Sequence, residues 1–446
     1  MNVKTAMMTA FVLGASLPAV CGGIGLRQVI FEVCTKSDSV KMMRETLVKS
    51  ELIVREKWSR AMPTASATVS GGRSVSNLLS TMPSLAQMVP PGMSTMSDVT
   101  RYAASIDITQ PIYTFGKIGA GIDVARQFDN SVKSSYARNI QQLQLLALDA
   151  FYRVVLADLA LAIANRSQAR KGELYDYLDR NFRLGSGSRA QILAAKAEVR
   201  GQVPVIIKAR DDLLNATLSL TMLMGRPLSD SIGLDTALDM RELLIKAIPS
   251  REEAVRTALE RREDLRTIDY LVGVNEGGAK IYRAMYLPDV VANGSLGTVG
   301  TEPGDLGDWK NRNASVGVGL QWNFFDGFAN GSLSRQYRSD ARKLRLVRSA
   351  AAKAIAIEVA AARIECTAAD SNLAATEEML AAAQESYNLT RDNFRQGSGQ
   401  FADLQLAEEL LRQAEMGITG ARYRQVRSRA ALLVAMGNYI ITTEGL

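Results

Sequence analysis

Seven residues at 181–187, NFRLGSG, return at 393–399 as NFRQGSG, an offset of 212. At the same offset Tyr175 aligns with Tyr387, and MLMG at 222–225 with VAMG at 434–437. Upstream, the segment Gln110–Gly116 aligns with Gln321–Gly327 at an offset of 211. Further upstream the offset is 225: Met62-Pro63 matches Leu287-Pro288, and QVIFEVCTKSDSV from 28 matches EAVRTALERREDL from 253. The change of 14 falls between 64 and 104, so a loop there is longer in the first half. Nearly the whole chain is therefore one unit written twice, and any fold must build that unit twice.

Each half reads in one order. A helix comes first, at about 26–61 and 250–286, the second opened by the capping box Ser250-Arg-Glu-Glu253. Pro63 and Pro288 end these helices. Two short strands around a polar loop follow. Val316, Val318, Leu320, Trp322 and Phe324 alternate with Gly317, Gly319, Gln321 and Asn323, an apolar face against a small or polar one. TASATVSG at 64–71 alternates more weakly, and Gln110 breaks the phase of Ile106 and Ile108, which marks a bulge beside Pro111.

After Gly116 and Gly327 the pattern is helical for about 70 residues, roughly 100 Å of helix. Ile140, Leu143, Ala147, Ala150, Val154, Ala157, Leu161 and Ala164 keep a 3-4 spacing. Leu145, Leu148, Tyr152, Val155, Leu159 and Ala162 keep another. The seams lie roughly 150° apart around the helix, which gives it a neighbour on each side. A stave in a cylinder wall has that pattern, and so does a buried helix of an ordinary bundle. Each repeated heptapeptide then reverses the chain into a second helix, with glycine as left-handed C-cap and serine starting the next helix.

Composition narrows the function. There is no histidine among 446 residues, which removes the commonest general base and metal ligand together. No constellation for an enzyme or a cofactor is present, and GSG follows no strand and precedes no lysine as a phosphate loop would require. The net charge of +7 is dispersed among acids on helices, the pattern of a solvated surface rather than a nucleic-acid site. Residues 1–23 read as a secretory signal peptide; Cys21 offers a lipidation site, although Pro18 and Val20 fit the usual small-residue box badly. Cys34 and Cys366 remain, too few for a disulfide framework, and their levels along the helices differ by roughly 15 Å.

The order helix, strand–loop–strand, long helix, tip turn and return helix, made twice, resembles the TolC-type outer-membrane efflux proteins. The residues that carry it are AMPTASATVSGG, ITQPIYTFG, ALDAFYRVVLAD, NFRLGSGSRAQILAAKAE and LSLTMLMG, with their partners LPDVVANGSLG, LQWNFFDG, NFRQGSGQFADLQLAEE and LLVAMG. The resemblance covers about 25–440. It implies a mainly α-helical fold with a transmembrane β-barrel portion. Its parts are a first repeat at 24–225, a linker at 226–249, a second repeat at 250–437 and a short tail at 438–446. Four strands cannot close a barrel, and an open edge is not allowed in lipid, so the implied assembly is a homotrimer sharing twelve strands.

The resemblance further implies a passive conduit in the outer membrane of a Gram-negative bacterium, reaching into the periplasm. Its implied partners are outer-membrane lipid, a periplasmic adaptor and an inner-membrane transporter of RND or ABC type, for drug efflux or type I secretion. The tip residues Arg183, Gly185, Ser186, Gly187, Arg395, Gly397, Ser398 and Gly399 would dock the adaptor, although each arginine also reads as a solvated helix end. Asp403 falls where the family has an acidic constriction; Leu406 replaces a second acid, and Gln191 is the first-half counterpart. Asp403 also reads as an acid placed favourably for a helix dipole. Pro63, Pro111, Pro288 and Trp322 would mark the junction of barrel and helices, with Trp322 and Phe324 facing lipid. A competing class is a periplasmic coiled-coil adaptor or scaffold, which has no need of a barrel.

Overall fold

A computed structural model describes residues 24–77, 96–229, 233 and 247–441. The signal peptide, Cys21, most of the 226–249 linker and the end of the tail lie outside the described residues. In chain order the elements are α1 (Leu26–Lys36), α2 (Asp38–Ser59), β1 (Thr64–Asn77), β2 (Met96–Tyr113), α3 (Lys117–Arg183) and α4 (Arg189–Leu223). The second half gives α5 (Arg251–Arg261), α6 (Glu263–Ala284), β3 (Asp289–Gly300), β4 (Arg312–Gln321), α7 (Ala329–Arg395) and α8 (Phe401–Ala435). Both long helices have 67 residues and both return helices have 35. None of the described helices is long and apolar enough to cross a membrane.

The lead helix of each half is not continuous as its pattern suggests. It breaks at Ser37 in the first half and at Arg262 in the second, both in extended conformation. Ser37 caps α2 by accepting from the Val40 amide. Arg262 is buried and bonds Asp264, Glu358 and the Ala435 carbonyl. Neither α2 nor α6 reaches its proline: they end at Ser59 and Ala284, a turn before Pro63 and Pro288. The Ser250 hydroxyl does accept from the Glu253 amide, as a capping box requires. Pro204 lies inside α4, which continues through it.

The helices form two tiers that share α3 and α7. Near the strands the neighbours run α2–α3–α6–α7; towards the tips they run α4–α3–α8–α7. Each tier is thus a row of four helices, and both seams of α3 are covered, as their spacing predicts. Between the tiers α1 packs on α3 and α5 on α7. The largest core cluster gathers there, with Val29, Ile30 and Val33 of α1, Ala147, Leu148 and Tyr152 of α3, Leu220 of α4 and Ala430 of α8. Truncating a fully buried leucine such as Leu220 to alanine costs about 2–5 kcal/mol. The C-terminal segment is tied to α3. The Arg138 guanidinium donates to the Val434 carbonyl, the Gln141 amide to that of Gly437 and the Gln144 amide to that of Ile441.

All four strands make one antiparallel sheet in the order β1-β2-β3-β4, so its central pair, β2 with β3, joins the two halves. β1 and β2 are not short, at 14 and 18 residues. The register shifts between Pro111 and Tyr113, where the sequence marks a bulge.

Candidate gate at the tips and the sheet above it

Each tip turn is built the same way. The amides of Gly185 and Ser186 bond back to the carbonyls of Phe182 and Asn181, and those of Gly397 and Ser398 to Phe394 and Asn393. This double closure needs a left-handed residue, and Gly185 and Gly397 supply it with φ of 82° and 80°. The serines do not start the next helix as expected: the Ser186 and Ser398 hydroxyls donate back to the Asn181 and Asn393 carbonyls. Ser188 and Gln400 take the N-cap positions instead. Gly187 and Gly399 press on the preceding helix, where an added Cβ would come within 2.7 and 2.9 Å of the Phe182 and Phe394 nitrogens.

The candidate gate residues lie just past these turns. Asp403 is in the first turn of α8 and exposed. Leu406 is 62% exposed, and with Asp403 and Leu410 it keeps the 3-4 spacing of one helix face. Gln191 occupies the matching turn of α4, half-buried, on the other hairpin. Of the tip arginines, Arg183 pairs with Asp179 at 2.6 Å and Arg395 is exposed.

The structure adds a network that no sequence motif marks. Glu408, five residues beyond Asp403 and so about 140° around the helix, is 5% exposed and faces α3. One of its oxygens, Oε1, accepts from the Ser167 hydroxyl at 2.7 Å and from Arg170 at 3.2 Å. Arg170 also reaches Glu415 at 3.3 Å. The Tyr177 hydroxyl donates to the Arg395 carbonyl at 3.2 Å. These bonds hold the second hairpin to the first near the tip. Glu408 and Glu415 share the seam of Leu404, Leu411 and Ile418 in the sequence, and acids at such positions are the signal that pattern reading could have used.

At the opposite end the sheet has two unlike faces. Register and alternation place Ala65, Ala67, Val69, Ala104, Ile106, Ile108, Val290, Ala292, Leu296, Val316, Val318 and Leu320 on one face. Thr64, Ser66, Thr68, Ser70, Ser105, Asp107, Thr109, Asn293, Ser295 and Asn313 lie on the other. Tyr102 and Tyr113 bracket the apolar face of β2. They are 11 residues apart, and at a 45° tilt that spacing is a height of roughly 26 Å. Beyond Tyr102, Arg73 pairs with Asp98.

Trp322 falls one residue past β4, so the expected alternation does not carry through it and Phe324. Its indole donates to the Tyr286 carbonyl at 2.9 Å while the residue stays 56% exposed. Pro111 is at the bulge, where the Gln110 amide donates to the Ala61 carbonyl, and the Lys117 ammonium bonds Asp289 and the Leu287 carbonyl beside Pro288. Pro63 immediately precedes β1. All four junction residues thus gather where strands meet helices. Among the described residues no group of three or more His, Cys, Asp or Glu converges as metal ligands would.

Comparison with known proteins bears on both ends. The profile described as outer membrane efflux protein matches residues 53–226 and 254–438. The chain is 24% identical over 245 residues to the alkaline protease secretion protein AprF of Pseudomonas aeruginosa. That alignment spans 54% of this chain and about half, 49%, of the relative. Among solved structures, the MtrE outer membrane channel of Neisseria gonorrhoeae superposes with a TM-score of 0.75 at 18% identity, covering 93% of this chain and 89% of that one. The outer membrane protein VceC of Vibrio cholerae gives 0.74 at 15% identity, covering 93% and 97%.

Proposed function

The chain belongs to the outer membrane efflux protein family, and on that premise we propose that it is the outer-membrane channel of a tripartite export assembly. The observation that carries this reading is the four-stranded sheet, apolar on one face and polar on the other, with β1 and β4 as its edges. An edge in hydrocarbon leaves backbone donors and acceptors unsatisfied, so the sheet has to close. Closure by three copies gives a twelve-stranded barrel, the apolar face to lipid and the polar face to a water-filled lumen. Each helix tier repeats the same arithmetic, with four staves per copy and twelve in the wall.

The flanks of the rows support three-fold closure. Leu346, Ile357 and Ile364 form an exposed stripe on the outer edge of α7, and Leu193, Ile207 and Leu214 form one on α4. Both keep heptad-compatible spacing, as a seam between copies requires. A periplasmic adaptor or scaffold would have no use for the sheet.

In this reading the tips face an adaptor and, through it, an inner-membrane transporter. Asp403 forms a ring of three carboxylates at the narrow end, with Leu406 and Leu410 as apolar rings above it. Such a ring concentrates cations, and apolar rings gate by dewetting.

The test is fractionation and conductance. The protein should leave a Gram-negative outer membrane only with detergent, run as a heat-labile trimer, and open channels in planar bilayers. Crosslinking in cells should capture an adaptor at the tips. Recovery as a water-soluble monomer would overturn the proposal.

A further inference from the structure

Between the two hairpins near the tips lies a cavity of about 220 Å³, walled by α3, α4, α7 and α8. Its walls are of three kinds. Tyr177, Phe394 and Phe401 form an aromatic lining, with ring centroids 6.1 and 6.2 Å apart from Tyr177 to Phe394 and from Phe394 to Phe401. The Tyr387 ring already has two guanidinium partners, Arg170 and Arg391, both at 5.8 Å from its centroid. The third element is Glu408. Its Oε1 is saturated by Ser167 and Arg170, but its Oε2 is buried and lacks a hydrogen-bond donor among the described residues. The Lys171 ammonium bonds Glu198 at 2.8 Å and stands 3.9 Å from that oxygen, beyond hydrogen-bond reach.

A buried carboxylate oxygen without a donor is costly, and a group that supplies one gains that energy. The space is sufficient: an apolar cavity of about 150 Å³ holds benzene. The charge is settled as well. Four basic and four acidic side chains line the cavity, so an uncharged ligand leaves that balance unchanged.

We propose that this cavity is a binding site for a small uncharged aromatic molecule carrying one O–H or N–H donor. The donor bonds Glu408 Oε2, and the ring packs among Tyr177, Phe394 and Phe401. Such a ligand bridges both hairpins and ties α8 more firmly to α3 and α4. The cavity lies within one chain, so the site does not depend on the trimer or the barrel.

The probe is 4-fluorophenol, followed by fluorine NMR on the full chain in detergent, with 4-fluoroanisole, 4-fluorobenzylammonium and 4-fluorobenzoate as comparisons. The phenol should bind saturably above the micelle background. It should bind about tenfold or more tighter than the anisole, the worth of one hydrogen bond to a charged acceptor, and tighter than either ion. Glu408→Gln should weaken the phenol by about the same factor. Ala195→Leu, which puts bulk into the cavity and keeps Glu408, should abolish binding, and Lys196→Ala, exposed on the same helix, should not change it. Unchanged helical circular dichroism keeps Glu408→Gln and Ala195→Leu interpretable. Absence of saturation, equal binding of phenol and anisole, tighter binding of the ammonium, or binding undiminished in Ala195→Leu would each overturn the assignment.

Discussion

Gly225 lies against the carbonyl of Lys36: a Cβ at Gly225 would come within 2.7 Å of that oxygen, and its φ is +69°. Gly437 stands in the same relation to Arg261, with an added Cβ 3.0 Å from the carbonyl carbon. The turn that ends each return helix is thus wedged into the break of its own half's lead helix. Gly225→Ala should destabilise the protein by about 1–3 kcal/mol, from backbone strain plus the clash. Gly201→Ala, at an open position inside α4, should be neutral or stabilising by up to about 1 kcal/mol. Thermal unfolding of the two variants side by side is the check, and equal midpoints would count against the wedge.

The gate gives a paired electrical prediction. Asp403→Ala should weaken cation selectivity, read as a shift of reversal potential under a salt gradient, while Gln191→Ala changes it little. If Asp403 serves only the α8 dipole, its loss costs about 0.3–1 kcal/mol of stability and leaves the reversal potential where it was. Leu406→Ser should raise conductance by wetting the apolar ring.

Glu32 links stability to pH. Its carboxylate takes two bonds from Arg226, at 2.6 and 2.7 Å, and that pairing holds the carboxyl below its ordinary range. A depressed folded value means that the contribution is fully present above the unfolded value, about 4.3. It is lost as pH falls through the folded value. Glu32→Gln should therefore cost about 2 kcal/mol near neutrality, and the difference from wild type should shrink below about pH 4. A gap that stays constant down to pH 2 would remove Glu32 from the acid response.

Cys34 and Cys366 are free, buried thiols, and burial pushes Cys34 up to about 11. In a chain carrying Cys21→Ser, maleimide should leave the folded protein unlabelled at neutral pH. Two thiols per chain should react once it is unfolded, without any reductant. Labelling that requires reduction first would mean a disulfide.

Trp322 should report the membrane boundary. With Trp58 and Trp309 replaced by phenylalanine, its emission in proteoliposomes should be quenched by lipids brominated near the headgroup. Quenching by aqueous acrylamide alone would remove the indole from the membrane boundary.

What could be read from the sequence follows from how far each signal acts. The long helices were legible because their seams are local periodicities repeated over many turns, and the tips because glycine has few other uses between two helices. The sheet faces were legible in β4, where Val316, Val318 and Leu320 alternate with glycines. The breaks at Ser37 and Arg262 were not. TKSDSV and ERREDL contain neither glycine nor proline, and the turns at Gly225 and Gly437 that pack against the breaks come from nearly two hundred residues away. Glu408 was hidden for a related reason: its role depends on Ser167 and Arg170 of another hairpin.

The two hairpins match residue for residue, 67 with 67 and 35 with 35. Reach is therefore a shared quantity. Adding one heptad to α3 and another to α4 would move the first tip outward by roughly 10 Å, leave the second behind, and slide Ser167 and Arg170 out of line with Glu408. Insertions in these helices have to come as a matched set of four, one for each arm of each hairpin. A lone insertion in one helical arm should be rejected even where the segment itself is exposed, unlike the 14 extra residues that the first repeat carries between 64 and 104.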